Sequence, residues 1–157
     1  MNRKAQAYLS AVKEHLAIFP GVRELVHDAA ARYPLAIASG ALRNEIELIL
    51  EEAGLRKAFL HITSAEDVTR GKPAPEPFLH AMAALNRQPS QPALTPGDCL
   101  VIEDSLPGIR AARAAGIKTV INNRPDGEVA GQLTDAEARA LAESNGLDYV
   151  FVPVISG

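Results

Sequence analysis

The chain has 157 residues, enough for one domain that buries about 70 % of the surface exposed by its unfolded form. Hydrophobic residues make up 47 % and charged residues 22 %, and the net charge of −3 offers no basic surface for nucleic acid. No apolar run approaches the roughly 20 residues of a membrane span, no signal peptide opens the sequence, and Cys99 is its one cysteine. We therefore expect a cytoplasmic protein without membrane contact and without an internal disulfide.

Apolar periodicity and turn residues divide the chain into alternating helices and strands. The predicted order is helix 4–19, helix 22–32, strand 35–38, helix 43–53, strand 61–64, a helix after Pro75, strand 99–102, helix 109–115, strand 118–121, a helix capped at Thr134 and ending near 144, and strand 149–154. Strands that alternate with helices indicate an α/β fold with a doubly wound parallel sheet.

Two adjacent carboxylates follow the most apolar of these strands. Cys99 to Ile102 run directly into Glu103 and Asp104. A short apolar run of this kind is typical of a strand buried on both faces, and its carboxyl end is where α/β proteins bind ligands. Neighbouring carboxylates repel each other there, which favours a hard divalent cation such as Mg²⁺. The alternative is that the two acids only begin the next helix, where negative charge is favourable.

Two further stretches lie after a strand or in a loop before a helix. Ser39 and Gly40 follow the strand at 35–38, where a hydroxyl and free backbone N–H groups suit an anion. Lys72 precedes Pro73, in a segment whose two prolines stiffen the backbone. Each feature alone also fits an ordinary turn or a solvated surface charge. Together, a hydroxyl, an ammonium and an acid pair are the groups that a phosphoryl group requires.

The motifs, in chain order, are Ala38-Ser39-Gly40, Gly71-Lys72-Pro73-Ala74-Pro75-Glu76 and Val101-Ile102-Glu103-Asp104-Ser105. In this order they resemble the haloacid dehalogenase (HAD) superfamily, especially the branch of β-phosphoglucomutase-like enzymes and sugar-phosphate or phosphoglycolate phosphatases. The resemblance covers about residues 20–122 and implies a HAD-like Rossmannoid core.

The resemblance also implies a role for each motif residue. Ser39 and the backbone of Gly40 would bind the phosphoryl group, and Lys72 would neutralise its charge. Asp104, with Glu103 beside it, would hold Mg²⁺. The implied activity is Mg²⁺-dependent phosphoryl transfer, most simply hydrolysis of a small phosphorylated metabolite through an aspartyl-phosphate.

One family motif is missing. The family begins with Asp-x-Asp at the end of an N-terminal strand, and no two aspartates of this chain are two positions apart. We therefore expect an N-terminally truncated chain, with residues 1–19 as one remnant helix of a helical cap and 20–157 as a core lacking its first strand. Such a chain would lack the nucleophile and be inactive alone. We expect it to self-associate or to be complemented by the missing segment.

Two other classes of protein compete with this interpretation. A phosphorelay receiver domain combines similar residues, but its acids precede the hydroxyl and the lysine, whereas here Ser39 and Lys72 precede Glu103 and Asp104. That class is set aside. A non-catalytic phosphate-binding or assembly module, derived from such a phosphatase, stays open because Asp-x-Asp is absent.

Overall fold

The computed structural model describes residues 16–89, 93–128 and 130–153. Its α-helices are α1 Val22–Ala30, α2 Arg43–Glu52, α3 Glu76–Asn86, α4 Leu106–Ala114 and α5 Asp135–Ser144. Its strands are β1 Leu35–Ala38, β2 Phe59–Thr63, β3 Leu100–Ile102, β4 Thr119–Asn122 and β5 Asp148–Phe151. All strand pairs are parallel, so the predicted α/β class is confirmed.

The strands form two sheets. β1 pairs with β2, and β3, β4 and β5 form a second sheet in that order. Among the described strands, β1 and β3 each have one hydrogen-bonded neighbour, although both precede predicted site residues. This arrangement is compatible with the absence of a strand between them.

Both faces of the β1–β2 sheet are covered. On one face, Ile62 packs with Ile46 and Leu50 of α2 in the first hydrophobic cluster. Side chains alternate along a strand, so Thr63 points to the opposite face. There its Oγ1 lies 3.1 Å from Nδ1 of His80 in α3.

The β3–β5 sheet is covered on one face. Val101, Val120 and Tyr149 pack with α4 and α5 in the second hydrophobic cluster. On the opposite face Leu100 is 54 % and Ile102 56 % exposed. The expectation that this strand is buried on both faces is therefore wrong, because no described element covers its second face.

The helix ends follow the local sequence signals closely. Thr134 and Glu137 form the predicted capping box of α5, with the Glu137 N–H donating to Thr134 Oγ1 at 3.3 Å. Gly54 follows α2 with φ of 72°, a backbone conformation that favours glycine. In α3 the small Ala81 and Ala84 are buried, whereas the larger Leu79 is 38 % exposed.

The N-terminal predictions fall mostly outside the described residues. Of the predicted helix over 4–19, residues 16–19 are described and are not helical. The division into a cap remnant and a core at residue 20 stays a prediction. None of the described helices is long and apolar enough to cross a membrane.

Candidate functional site

Lys72 and Glu103 form the central contact of the site. Lys72 Nζ donates a hydrogen bond to Glu103 Oε2 at 2.5 Å, and the Lys72 and Glu103 side chains are 21 % and 7 % exposed. The ammonium also lies 4.9 Å from the centroid of the Phe78 ring in α3, within range of a cation–π interaction. Two predicted site residues from distant parts of the chain are thereby brought together.

The second oxygen of Glu103 is also engaged. Oε1 accepts hydrogen bonds from the Ser105 hydroxyl at 2.7 Å and from the Ser105 N–H at 3.1 Å. Burial alone would raise the pKa of Glu103, but the hydrogen bond and charge of Lys72 and the hydrogen bonds of Ser105 outweigh it and lower the pKa. Glu103 is therefore an ionised anchor that fixes the position of the Lys72 ammonium.

Helix α4 begins directly under this carboxylate. Its N-cap Ser105 accepts a hydrogen bond from the Gly108 N–H at 3.1 Å. A Cβ on Gly108 would lie 1.9 Å from Cδ of Glu103, so only glycine leaves room for the carboxylate here. Gly108 lies three positions after Ser105 in the sequence, but the close approach that requires glycine there is visible only in three dimensions.

The loop that carries Lys72 is tied to the start of α3. Glu76 accepts hydrogen bonds from the backbone N–H groups of Thr69 at 2.6 Å and Arg70 at 3.1 Å. The Lys72–Pro73 peptide bond is cis. The sequence predicted a segment stiffened by prolines around Lys72, and the Glu76 hydrogen bonds and the Glu103 ion pair are additional constraints that the sequence did not reveal.

Asp104 points away from this pair and meets an arginine that no motif contains. Arg124 Nη1 lies 3.2 Å from Asp104 Oδ2, and the Asp104 side chain is 42 % exposed. Arg124 Nε also pairs with Glu128 at 2.5 Å. The sequence signal for Arg124 was weak: it lies in the turn-rich stretch after β4, a strand paired with β3.

Ser39 and Gly40 follow β1 as predicted. The Ser39 N–H donates to the carbonyl of Thr63 at 2.9 Å, and Ser39 Oγ accepts from the Ala41 N–H at 3.1 Å. Because Oγ accepts in that contact, its hydroxyl proton is available for a ligand. Gly40 is exposed, with nothing within 4 Å of a Cβ built on it. Among the described residues, no hydrogen bond or ion pair joins Ser39 to Lys72 or Asp104.

A buried polar network supports the end of β2 beside Ser39. Thr63 and Ser64 are fully buried. Asp67 Oδ2 accepts from the Ser64 hydroxyl and the Ser64 N–H, both at 2.7 Å, and from Arg43 Nη2 at 2.6 Å. The hydrogen bonds of Ser64 and then of Arg43 hold the pKa of Asp67 far below its usual range.

The chemistry of these groups fits one part of a metal site. Asp104 offers an exposed carboxylate oxygen of the kind that Mg²⁺ binds. Within the described part of the chain, no group of three or more His, Cys, Asp or Glu side chains converges on one point. A complete coordination shell would therefore need water or ligands beyond these two acids.

Comparison with known proteins gives consistent matches. The family model of haloacid dehalogenase-like hydrolases matches residues 3–116. A second model, the phosphatase-like domain of beta-lactamase hydrolase-like proteins, matches residues 100–157.

Three of the curated relatives are named as phosphatases. The chain is 36 % identical over 121 residues to the bifunctional riboflavin kinase/FMN phosphatase of Arabidopsis thaliana, covering 76 % of this chain and 30 % of the relative. It is 36 % identical over 128 residues to validoxylamine A 7'-phosphate phosphatase of Streptomyces hygroscopicus subsp. limoneus, covering 81 % and 52 %. It is 34 % identical over 119 residues to fructose-1-phosphate phosphatase of Escherichia coli, covering 76 % and 59 %. The chain thus spans at most 59 % of the length of these three relatives.

Solved structures share the fold. CbbY from Rhodobacter sphaeroides, solved with phosphate, superimposes with a TM-score of 0.72 at 24 % identity, covering 94 % of this chain and 59 % of CbbY. β-Phosphoglucomutase from Clostridium difficile superimposes with a TM-score of 0.63 at 28 % identity, covering 76 % of this chain and 50 % of the enzyme. The match to CbbY covers 94 % of this chain, so both sheets belong to a fold that occurs within a single protein.

Proposed function

Because the chain belongs to the haloacid dehalogenase-like hydrolase family, we propose that it carries the phosphate- and Mg²⁺-binding part of a phosphatase for a small phosphorylated metabolite. The observation that carries this proposal is the Lys72 ammonium held against buried Glu103, whose chain neighbour Asp104 carries an exposed carboxylate. The names of the relatives, which include a sugar-phosphate phosphatase, support a substrate of sugar-phosphate or phosphoglycolate type.

Each residue has a distinct role in this proposal. Lys72 offsets the charge of the phosphoryl group, and the Ser39 hydroxyl and Gly40 backbone donate hydrogen bonds to it. Glu103 already has both oxygens in hydrogen bonds, so we assign it the orientation of Lys72 and assign direct metal contact to Asp104. Mg²⁺ bound there would offset the charge that develops on the phosphoryl oxygens.

The nucleophile is the missing part. None of the aspartates of the 157 residues forms the Asp-x-Asp pair on which the family builds its aspartyl-phosphate. We therefore assign the nucleophile to a segment outside these residues and expect the chain alone to show no turnover.

Phosphate binding tests the site directly. Titration of the 15N-labelled chain with inorganic phosphate should shift the amide signals of Ser39, Gly40 and Lys72. Lys72→Met should abolish these shifts, whereas Lys57→Met, which removes an exposed lysine, should preserve them. Ser39→Ala, which leaves the Lys72–Glu103 pair intact, should weaken binding and provides a second test if Lys72→Met folds poorly. Shifts that appear elsewhere and omit Ser39 and Gly40 would contradict the proposal.

A turnover assay distinguishes the proposed phosphatase from the non-catalytic phosphate-binding module. Phosphate release from fructose 1-phosphate and 2-phosphoglycolate should be absent for the chain and appear when a family-like N-terminal segment with Asp-x-Asp is added in cis or as a separate chain. Phosphate release by the extended protein should require Mg²⁺ and should be lost in Lys72→Met. Phosphate binding without turnover in the extended protein would instead indicate the non-catalytic module, which the lack of Asp-x-Asp in the sequence favours. Hydrolysis by the unextended chain, lost on Lys72→Met, would require another nucleophile.

A further inference from the structure

Arg124 is the charged neighbour of Asp104 that the proposed function does not use. Its Nη1 lies 3.2 Å from Asp104 Oδ2, and the Arg124 side chain is 24 % exposed. Any effect of Arg124 on the metal affinity of Asp104 rests on the proposed function.

The guanidinium is held in place by more than this ion pair. The guanidinium Nε pairs with Glu128 at 2.5 Å, and the backbone N–H of Arg124 donates to Asn122 Oδ1 at 3.0 Å. Asn122 is itself 3 % exposed and donates through Nδ2 to the Tyr149 hydroxyl at 2.8 Å. The loop after β4 is thus anchored in the second hydrophobic cluster, and the cation is positioned beside Asp104.

A fixed cation and a divalent metal compete for the same carboxylate. Mg²⁺ bound to Asp104 would lie close to the positive guanidinium, and the Arg124–Asp104 ion pair would have to weaken or break. We infer that Arg124 is a built-in counter-cation of Asp104 that lowers the affinity of this site for divalent cations. Arg124 is then a positioning residue that sets metal affinity through Asp104.

Calorimetric titration of the chain with MgCl₂ at constant ionic strength tests this inference. Arg124→Gln should bind Mg²⁺ more tightly by about fivefold, the factor that corresponds to an ion pair of two unit charges about 4 Å apart in water, which Mg²⁺ would no longer have to disrupt. Arg113→Gln removes the same charge from an exposed position on α4 and should leave the affinity unchanged. Arg124→Lys keeps the charge and should stay close to the wild-type affinity.

The variant Glu128→Gln distinguishes an effect of loop mobility on Mg²⁺ affinity from competition between Arg124 and Mg²⁺. This variant breaks the contact between Glu128 and Arg124 but leaves the guanidinium beside Asp104. We expect its Mg²⁺ affinity to be equal to that of the wild type or lower. Tighter binding in Glu128→Gln would indicate that loop mobility, not charge, limits the affinity, and would overturn the inference.

The remaining outcomes distinguish this inference from the proposed function. Binding that is lost in Asp104→Asn but unchanged or weaker in Arg124→Gln would overturn the counter-cation role and keep the metal site. No Mg²⁺ binding by any variant, Arg124→Gln included, would overturn the metal site itself and the inference with it.

Discussion

The two sheets differ in how completely helices cover their faces. The β1–β2 sheet has helices on both faces, whereas the β3–β5 sheet buries one face and leaves Leu100, Ile102 and Val150 of the other face exposed. The first sheet ends in a buried hydrogen-bond network around Ser64 and Asp67. The second ends in the charged residues of the candidate site. The sheet that ends in the charged residues Glu103 and Asp104 is therefore also the sheet with one face uncovered by described elements.

The described structure has two halves, one around the β1–β2 sheet and one around the β3–β5 sheet. Side chains connect them, and no described strand of one half pairs with a strand of the other. Lys72 reaches Glu103 from the loop before α3, and Phe78 of α3 packs against the second hydrophobic cluster. Helix α3 meanwhile packs on β1 and β2. The ion pair proposed for phosphate binding thus also joins the halves, and the comparison predicts that variants there have the largest effect.

Lys72→Met should cause the largest loss of stability among the variants of the candidate site. It leaves the Glu103 carboxylate, 7 % exposed, without its cation, and breaking one partner of a buried pair destabilises by about 3–5 kcal/mol. The partial exposure of Lys72 places our expectation at the lower end. Urea unfolding measures the free energy of unfolding, with Lys57→Met as the matched control expected to change it by less than about 0.5 kcal/mol. Equal stability of the two variants would mean that the pair does not join the halves.

Ile62→Ala and Ile102→Ala compare the two sheets with the same substitution. Ile62 is 1 % exposed and Ile102 is 56 % exposed. Truncation of a buried isoleucine costs about 2–5 kcal/mol, whereas an exposed position changes stability by about 0.5 kcal/mol or less. A large loss for Ile102→Ala, measured by the same urea unfolding, would show that something covers the second face of β3 in solution.

The sequence predicted the positions of β1, α2 and α5 well because their signals are local. An apolar run, a glycine at a helix end and a capping box need no distant partner. The exposure of Leu100 and Ile102 was not predictable in this way. An all-apolar run has no alternation to reveal an open face, and coverage depends on elements elsewhere in the chain.

The sequence named Lys72, Glu103 and Asp104 as candidate site residues, and their roles stay a prediction. It did not reveal their arrangement, because Glu103 and Asp104 were treated as one metal-binding pair. Neighbouring side chains on an extended segment point to opposite sides, and here Glu103 meets Lys72 while Asp104 meets Arg124. Arg124 could not be paired with Asp104 from sequence, since only the alignment of β3 and β4 brings their following loops together.

Gly108→Ala should destabilise the chain although alanine is the better helix former. Intrinsic propensity favours alanine by about 1 kcal/mol, but the new Cβ would lie 1.9 Å from Glu103 Cδ and force the carboxylate away from Lys72. Overpacking costs about 1–3 kcal/mol, and an approach of 1.9 Å belongs at the upper end of that range, so we expect a net loss of about 2 kcal/mol. Gly71→Ala, where nothing lies within 4 Å of the added Cβ, is the control in thermal and urea unfolding. If Gly108→Ala is as stable as the wild type, the Glu103 carboxylate can move freely and does not anchor Lys72.

Asp67→Asn should have a smaller effect than Lys72→Met and is the variant whose effect depends on pH. The side chain accepts hydrogen bonds from Ser64 and Arg43, and its pKa is lowered by them well below the ordinary 3.8. Loss of the charged acceptor should cost about 1–2 kcal/mol at neutral pH.

A carboxyl whose pKa is lower in the folded state stabilises the fold fully above its unfolded pKa, and this contribution disappears as pH falls through the folded pKa. The difference in unfolding free energy between wild type and Asp67→Asn should therefore be constant above about pH 5 and shrink below about pH 4. Asp28→Asn, at an exposed position on α1, should follow the wild-type curve throughout. A difference that stays constant down to pH 2 would mean that the ionised Asp67 does not stabilise the β1–β2 half, and that its network acts through shape alone.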